Sequence, residues 1–215
     1  MGGVPNNTIY TNCIKQKYSR EFLKEFEQFD DYGNVLYLYN LERNEPNGLK
    51  LIVYNSEGKI IGSIIREQIT CQITRISLYD ESNQLIKYIE DIPSCESFTY
   101  LFYDANKNVE SRISIMAKLL CTTIDEFDQY DMRISYAINH HCGENFYFEY
   151  DEQNNLIYKL KHTFIGNTNE MKIYDSNDME INLSNKTLFN NGFSKIQMIL
   201  ILQNIFFFRN KYYQN

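Results

Sequence analysis

The chain has no tryptophan, and its 215 residues include only three prolines, nine glycines and three histidines. With Pro and Gly so sparse and no Pro/Ser-rich run, no stretch reads as a linker between domains. Lys and Arg number 21 against 28 Asp and Glu, a formal net charge of −7 with a pI near 5.1. Nucleic-acid binding needs clustered cations to neutralise phosphates, so DNA and RNA are not expected partners. The five cysteines, Cys13, Cys71, Cys95, Cys121 and Cys142, are odd in number and far apart. With no signal peptide in the polar N-terminal residues, they read as reduced cytosolic thiols. Met1-Gly2 does not open a myristoylation motif, because Asn6 stands where Ser or Thr is wanted.

Enzymatic signatures are lacking too. There is no nucleophile elbow, no phosphate-binding glycine loop and no HExxH. His140-His141-Cys142, with His162 further on, is the only tight group of borderline metal ligands, and zinc would need a second pair. Carboxylates are many but fall in turns, where Asp caps its own backbone. The chain does not read as an enzyme.

What the chain does have is a repeat. An aromatic residue followed by Asp or Asn, a polar turn and an aliphatic residue occurs at Phe29-Asp30, Tyr54-Asn55, Tyr79-Asp80, Tyr103-Asp104, Phe127-Asp128, Tyr150-Asp151 and Tyr174-Asp175. The steps are 25, 25, 24, 24, 23 and 24 residues, the mark of one supersecondary unit reused. Val35, Ile60, Leu85, Val109 and Leu156 each return six positions after the aromatic. Polar turn residues between two alternating runs predict a β-hairpin. Alternation within the runs agrees: Phe98, Tyr100 and Phe102 share one face, and Leu156, Tyr158 and Leu160 oppose Ile157, Lys159 and Lys161. An antiparallel sheet of about twelve strands is expected to close on itself and so remove its edges.

Two segments depart from this pattern. In residues 11–28, Ile14, Tyr18, Phe22 and Phe26 are four apart with Lys15, Lys17, Arg20, Glu21, Lys24 and Glu25 mostly off the stripe, which predicts an amphipathic helix on an N-terminal arm, 1–28. Residues 196–208 read IQMILILQNIFFF, follow a helix-starting Asn-Gly-Phe-Ser, and end at Arg209. Such a helix spans only about 20 Å against roughly 30 Å of bilayer hydrocarbon, and Gln197, Gln203 and Asn204 would each need a partner in lipid. Its place is expected to be inside the barrel, with Phe148, Ile173 or Leu160 facing it.

Successive hairpins followed by one apolar helix resemble the phospholipid scramblase and Tubby C-terminal superfamily. The resemblance covers residues from about 26 to 208. It is most specific in Asp151-Glu152-Gln153-Asn154-Asn155-Leu156-Ile157-Tyr158-Lys159-Leu160, then in Ile173-Tyr174-Asp175-Ser176-Asn177-Asp178-Met179-Glu180-Ile181, with Gly33-Asn34-Val35-Leu36-Tyr37 similar to the family's first hairpin. It implies a mainly β fold in which residues 29–215 form a closed antiparallel barrel, threaded by a central helix at 193–209. It also implies phospholipid binding or translocation by a cytoplasmic protein peripheral to the cytosolic face of a membrane. By the same resemblance, calcium would fall on Asp175 and Asn177, with Asp178 beside them, while Met179 and Lys186 stand where oxygen ligands are wanted. Headgroup candidates are Lys159 and Lys161 on one strand face, and Lys186 and Lys195 near the last helix. Divergence at the calcium segment and the missing lipidation signals favour an alternative, a non-catalytic structural or adaptor subunit docking into a larger protein assembly.

Overall fold

The computed structural model describes residues 14–18, 23–29, 34–44, 48–94, 97–119, 121–140, 146–165, 168–181, 186, 188–190 and 192–207. The strands are β1 (Ile14–Tyr18), β2 (Leu23–Phe29), β3 (Val35–Asn44), β4 (Gly48–Asn55), β5 (Ile60–Gln68), β6 (Thr74–Asp80), β7 (Leu85–Pro93), β8 (Ser97–Asp104), β9 (Val109–Ala117), β10 (Cys121–Asp128), β11 (Arg133–His140), β12 (Phe146–Asp151), β13 (Leu156–Ile165) and β14 (Thr168–Asp175), followed by the helix α1 (Lys195–Phe207). The thirteen strands from β2 to β14 form one antiparallel meander, each paired with its neighbours in sequence. β1 lies beside β2 over five residue pairs and meets β14 at Ile14↔Asn169.

The described part of residues 11–28 does not form the helix expected there: Ile14–Tyr18 and Leu23–Phe29 are strands. A spacing of four is a multiple of two as well as close to one helical turn, so the stripe fits a strand's alternation equally well. β2 pairs with β3 from Glu25↔Asn40 to Phe29↔Val35, so the division placed between residues 28 and 29 falls inside a strand of the sheet.

Six hairpins share one turn. Asn55, Asp80, Asp104, Asp128, Asp151 and Asp175 end their strands, and each side-chain Oδ1 accepts the N–H four residues on, at 2.7–2.9 Å. The residue three positions after each is left-handed: Gly58, Asn83, Lys107, Asp131, Asn154 and Asp178, with φ between 61° and 77°. An extra residue in this conformation makes a bulge, and the register shifts there. The bulge explains the six-residue return in the sequence, since Tyr54 pairs with Ile60, Tyr79 with Leu85, Tyr103 with Val109 and Tyr150 with Leu156.

On the inner face, Leu51, Val53, Ile64, Leu78, Ile89, Tyr100, Phe102, Ile113, Ile124, Ala137, Leu160 and Ile173 form one buried cluster with α1. Residues 196–202 of the helix are each between 0% and 6% exposed. Seven consecutive residues make almost two turns, so every side of the helix is covered. At roughly 1.5–3 kcal/mol per large apolar side chain, this burial is a main source of stability. Gly62 marks where the chain leading into α1 touches the sheet, for a Cβ there would lie 2.8 Å from the Phe189 ring. Ile173 and Leu160 face the helix as expected, but Phe148 does not: Glu149 takes the inward position of β12, and alternation turns Phe148 outward beside Lys159. Phe98, at the start of β8, is 42% exposed while Tyr100 and Phe102 are buried. Among the described residues no helix is long and apolar enough to cross a membrane.

Candidate functional site

The strongest concentration of interior polar chemistry lies at the start of α1. Ser194 is the N-cap: its Oγ accepts the Gln197 N–H at 3.1 Å, and Gln197 Oε1 accepts the Ser194 N–H at 3.2 Å, a reciprocal capping box. The same two side chains reach across to β12, where Ser194 Oγ and Gln197 Nε2 donate to Glu149 Oε2 at 3.1 and 3.3 Å. Glu149 is 4% exposed, and burial pushes its carboxyl up to about 7, with the Glu126 charge adding to the rise. Glu126, on β10, is 7% exposed and accepts the Ser135 hydroxyl at 2.9 Å; burial raises it as well. Ser111 Oγ lies near enough to hold the Glu126 carboxyl down, but without a partner in full hydrogen-bond geometry.

Cations ring these acids. Lys195 pairs with Glu110 at 3.4 Å and lies over the Phe102 ring, 5.6 Å from its centre. Lys186 sits between the Tyr158 and Phe193 rings, and burial lowers its pKa against the pull of Glu149. Burial lowers Lys87 too. On the opposite side of Lys186, its carbonyl accepts Gln28 Nε2 at 3.3 Å, and Gln28 Oε1 accepts the Tyr39 hydroxyl.

A second polar group lies further along the helix. Gln203 Nε2 donates to the Tyr100 hydroxyl at 3.0 Å, and Asp91, the cross-strand partner of Tyr100, has a buried Oδ1 with no hydrogen bond. Burial raises the Asp91 carboxyl to about 6 against the opposing charge of Arg66. The amides expected at the ends of the helix thus meet polar partners in Gln197 and Gln203; the Asn204 side chain lies outside the described residues.

The residues nominated from the sequence are only partly brought together. Asp175 Oδ1 accepts the N–H groups of Asn177 and Met179, which hold its carboxyl below the usual range. Asp178 forms an ion pair with Lys159. Among the described residues no three His, Cys, Asp or Glu side chains converge as metal ligands. Lys161 lies on the outer face over Phe146, 5.2 Å from the ring centre. Lys186 and Lys195 are therefore drawn to the interior acids, and Lys159 and Lys161 belong to the outer surface. His141 and Cys142 fall outside the described residues.

The sequence reading passed over Glu126 and Glu149. The repeat itself carries the signal: the residue just before each aromatic points inward, and that column reads Gln28, Val53, Leu78, Phe102, Glu126, Glu149, Ile173. Three of its seven members are polar, and all of them lie near the start of α1 or the chain leading into it.

Comparison with protein-family models and with curated proteins finds no match to this chain.

Proposed function

We propose that the chain is a non-enzymatic docking module, a closed barrel of scramblase or Tubby type whose outer surface joins a larger protein assembly. One observation carries this reading: α1 is covered on every side, so the interior is occupied by the chain itself and binding falls to the outside. Closure draws support from the same burial and from β1, which touches both β2 and β14. The interior acids and amides engage the helix cap, which is work within the fold rather than turnover of a substrate. Outer cations are matched by acids, as in Arg75–Glu90 at 2.7 Å, Arg112–Asp131 at 2.5 Å, Arg133–Asp125 at 3.5 Å and Lys159–Asp178. Such a mosaic suits a polar protein interface better than an anionic bilayer, which attracts uncompensated Lys and Arg. Purification of the tagged chain from its native cell under mild crosslinking should yield a stoichiometric protein complex. Recovery of the chain alone, as a monomer, would count against the docking reading.

A membrane reading has one observation in its favour. Outward cations rest on outward aromatic rings, Arg75 on Tyr88, Arg112 on Phe127, Arg133 on Tyr136 and Lys161 on Phe146, at 4.0–5.2 Å. Rings of this amphipathic kind also suit a headgroup layer. Flotation with phosphatidylserine vesicles, with and without calcium, and transfer of labelled lipid between leaflets separate the two readings: binding and transfer by the purified chain would favour the lipid function.

A further inference from the structure

Glu149 is a carboxyl group that the helix cap needs and the interior does not readily tolerate as an anion. Both of its described donors, Ser194 Oγ and Gln197 Nε2, fall on the single oxygen Oε2. These two bonds favour the ionised form, but burial and the neighbouring Glu126 charge outweigh them and hold the proton on the carboxyl. Among the described residues no ion pair reaches Glu149, and the charge of a second buried glutamate, Glu126, acts on it.

We propose that Glu149, backed by Glu126, is a proton-operated latch on the N-terminal end of α1. With its proton on, Glu149 ties β12 to the capping box and the helix stays seated. When it ionises, two carboxylates share one poorly hydrated space, and water must enter the rim to solvate them. The first turns of α1 loosen as a result.

The groups that face this end come from every neighbouring element. They are Glu126 from β10, Glu110 and Ser111 from β9, Lys87 from β7, Tyr158 from β13, Lys186 ahead of the helix and Lys195 at its start. Lys195 pairs with Glu110, and its charge also favours the ionised form of Glu126, so it acts on those two acids rather than on Glu149. Lys186 offsets part of the charge, but its own burial lowers its pKa. The carboxyl of Glu149 changes charge near 7, which places the switch in the physiological range.

Hydrogen–deuterium exchange on the full chain at pH 5.5 and 8.5, corrected for the intrinsic exchange rate, reads the latch directly. Protection of the α1 amides should fall by between about tenfold and a few hundredfold at the higher pH, since each unit of pKa shift is worth a factor of ten. Glu149→Gln, which keeps the hydrogen bonds without the charge, should hold protection constant. Equal protection at both pH values in the unaltered chain, or an equal loss in Glu149→Gln, overturns the proposal. If Glu149→Gln does not fold, the carboxyl 13C titration of Glu149 in the unaltered chain decides: a neutral carboxyl at pH 6 supports the latch, and a fully ionised one at pH 5.5 sinks it.

Discussion

Burial raises the carboxyl of Glu149 to about 7 and that of Asp91 to about 6, against ordinary values of 4.5 and 3.8. Above its ordinary value each group loses its proton in the unfolded chain but keeps it in the folded one. Stability from these protons is therefore complete below about 3.8–4.5 and is lost as pH rises to about 7. For Glu149 the full shift corresponds to about 3 kcal/mol, at 1.36 kcal/mol per unit. Asp104, Asp151 and Asp175 act in the opposite direction. Their carboxyls are held low, so their contribution is present above their ordinary value and disappears in stronger acid. The melting temperature should peak near pH 4–5 and fall towards pH 7.5, and Glu149→Gln should flatten that decline. A midpoint that rises steadily from pH 4.5 to 7.5 in thermal scans would show that the interior carboxyls are ionised in the fold.

At the scale of the element, the hairpin turn carries its own tests. Lys107 holds φ at 69°, a conformation that costs a side-chain residue roughly 1 kcal/mol and glycine almost nothing. Lys107→Gly should therefore stabilise the chain by about 0.5–1 kcal/mol in urea unfolding. Asp80→Ala should destabilise it by about 1 kcal/mol, because the N–H groups of Ser82 and Gln84 lose the oxygen that accepts them. In the helix, Leu200 is 6% exposed, and Leu200→Asp would bury an unpaired charge at a cost of several kcal/mol. Soluble, cooperatively folding Leu200→Asp protein, seen by circular dichroism, would mean that α1 is not packed as described.

These elements were unequally legible in the amino-acid order. Six of the seven hairpin turns fall where the repeat places them, since an Asx oxygen and a left-handed position three residues later are local chemistry that repeats, and the seventh, at Asp30, lies outside the described residues. The last helix could be placed because it is apolar all round and too short for a bilayer. The N-terminal stripe misled because Ile14, Tyr18, Phe22 and Phe26 satisfy two periods, and pairing with β3, a long-range interaction, decides between them. In FYFEYD the aromatic Phe148 was expected to face inward. Tyr147 and Glu149 are inward instead, since the bulge at Tyr150 fixes the register of the strand. A buried glutamate is intelligible only once Ser194 and Gln197, far along the chain, are brought to it.

For the molecule as a whole, the helix and the sheet depend on each other. Removal of residues 195–215 would strip the inner faces of β4 to β10 of their apolar cover, so the truncated chain should lose its cooperative melting transition and bind hydrophobic dyes. A truncated chain that melts as sharply as the intact one would show that the sheet packs against itself.

The covered helix also bears on how many hairpins the chain can hold. Each hairpin contacts only its neighbours along the meander, so nothing in the repeat itself limits the number of copies. A helix with its side chains is about 10–12 Å across, and the inner face of the sheet has to cover a cylinder of that width without gaps. Another copy would extend the sheet past the surface that α1 can cover, and one fewer would leave part of the helix bare. The last thirteen-residue element thus serves as the gauge for everything before it: synthesised after every strand, it tests whether the sheet has the right extent.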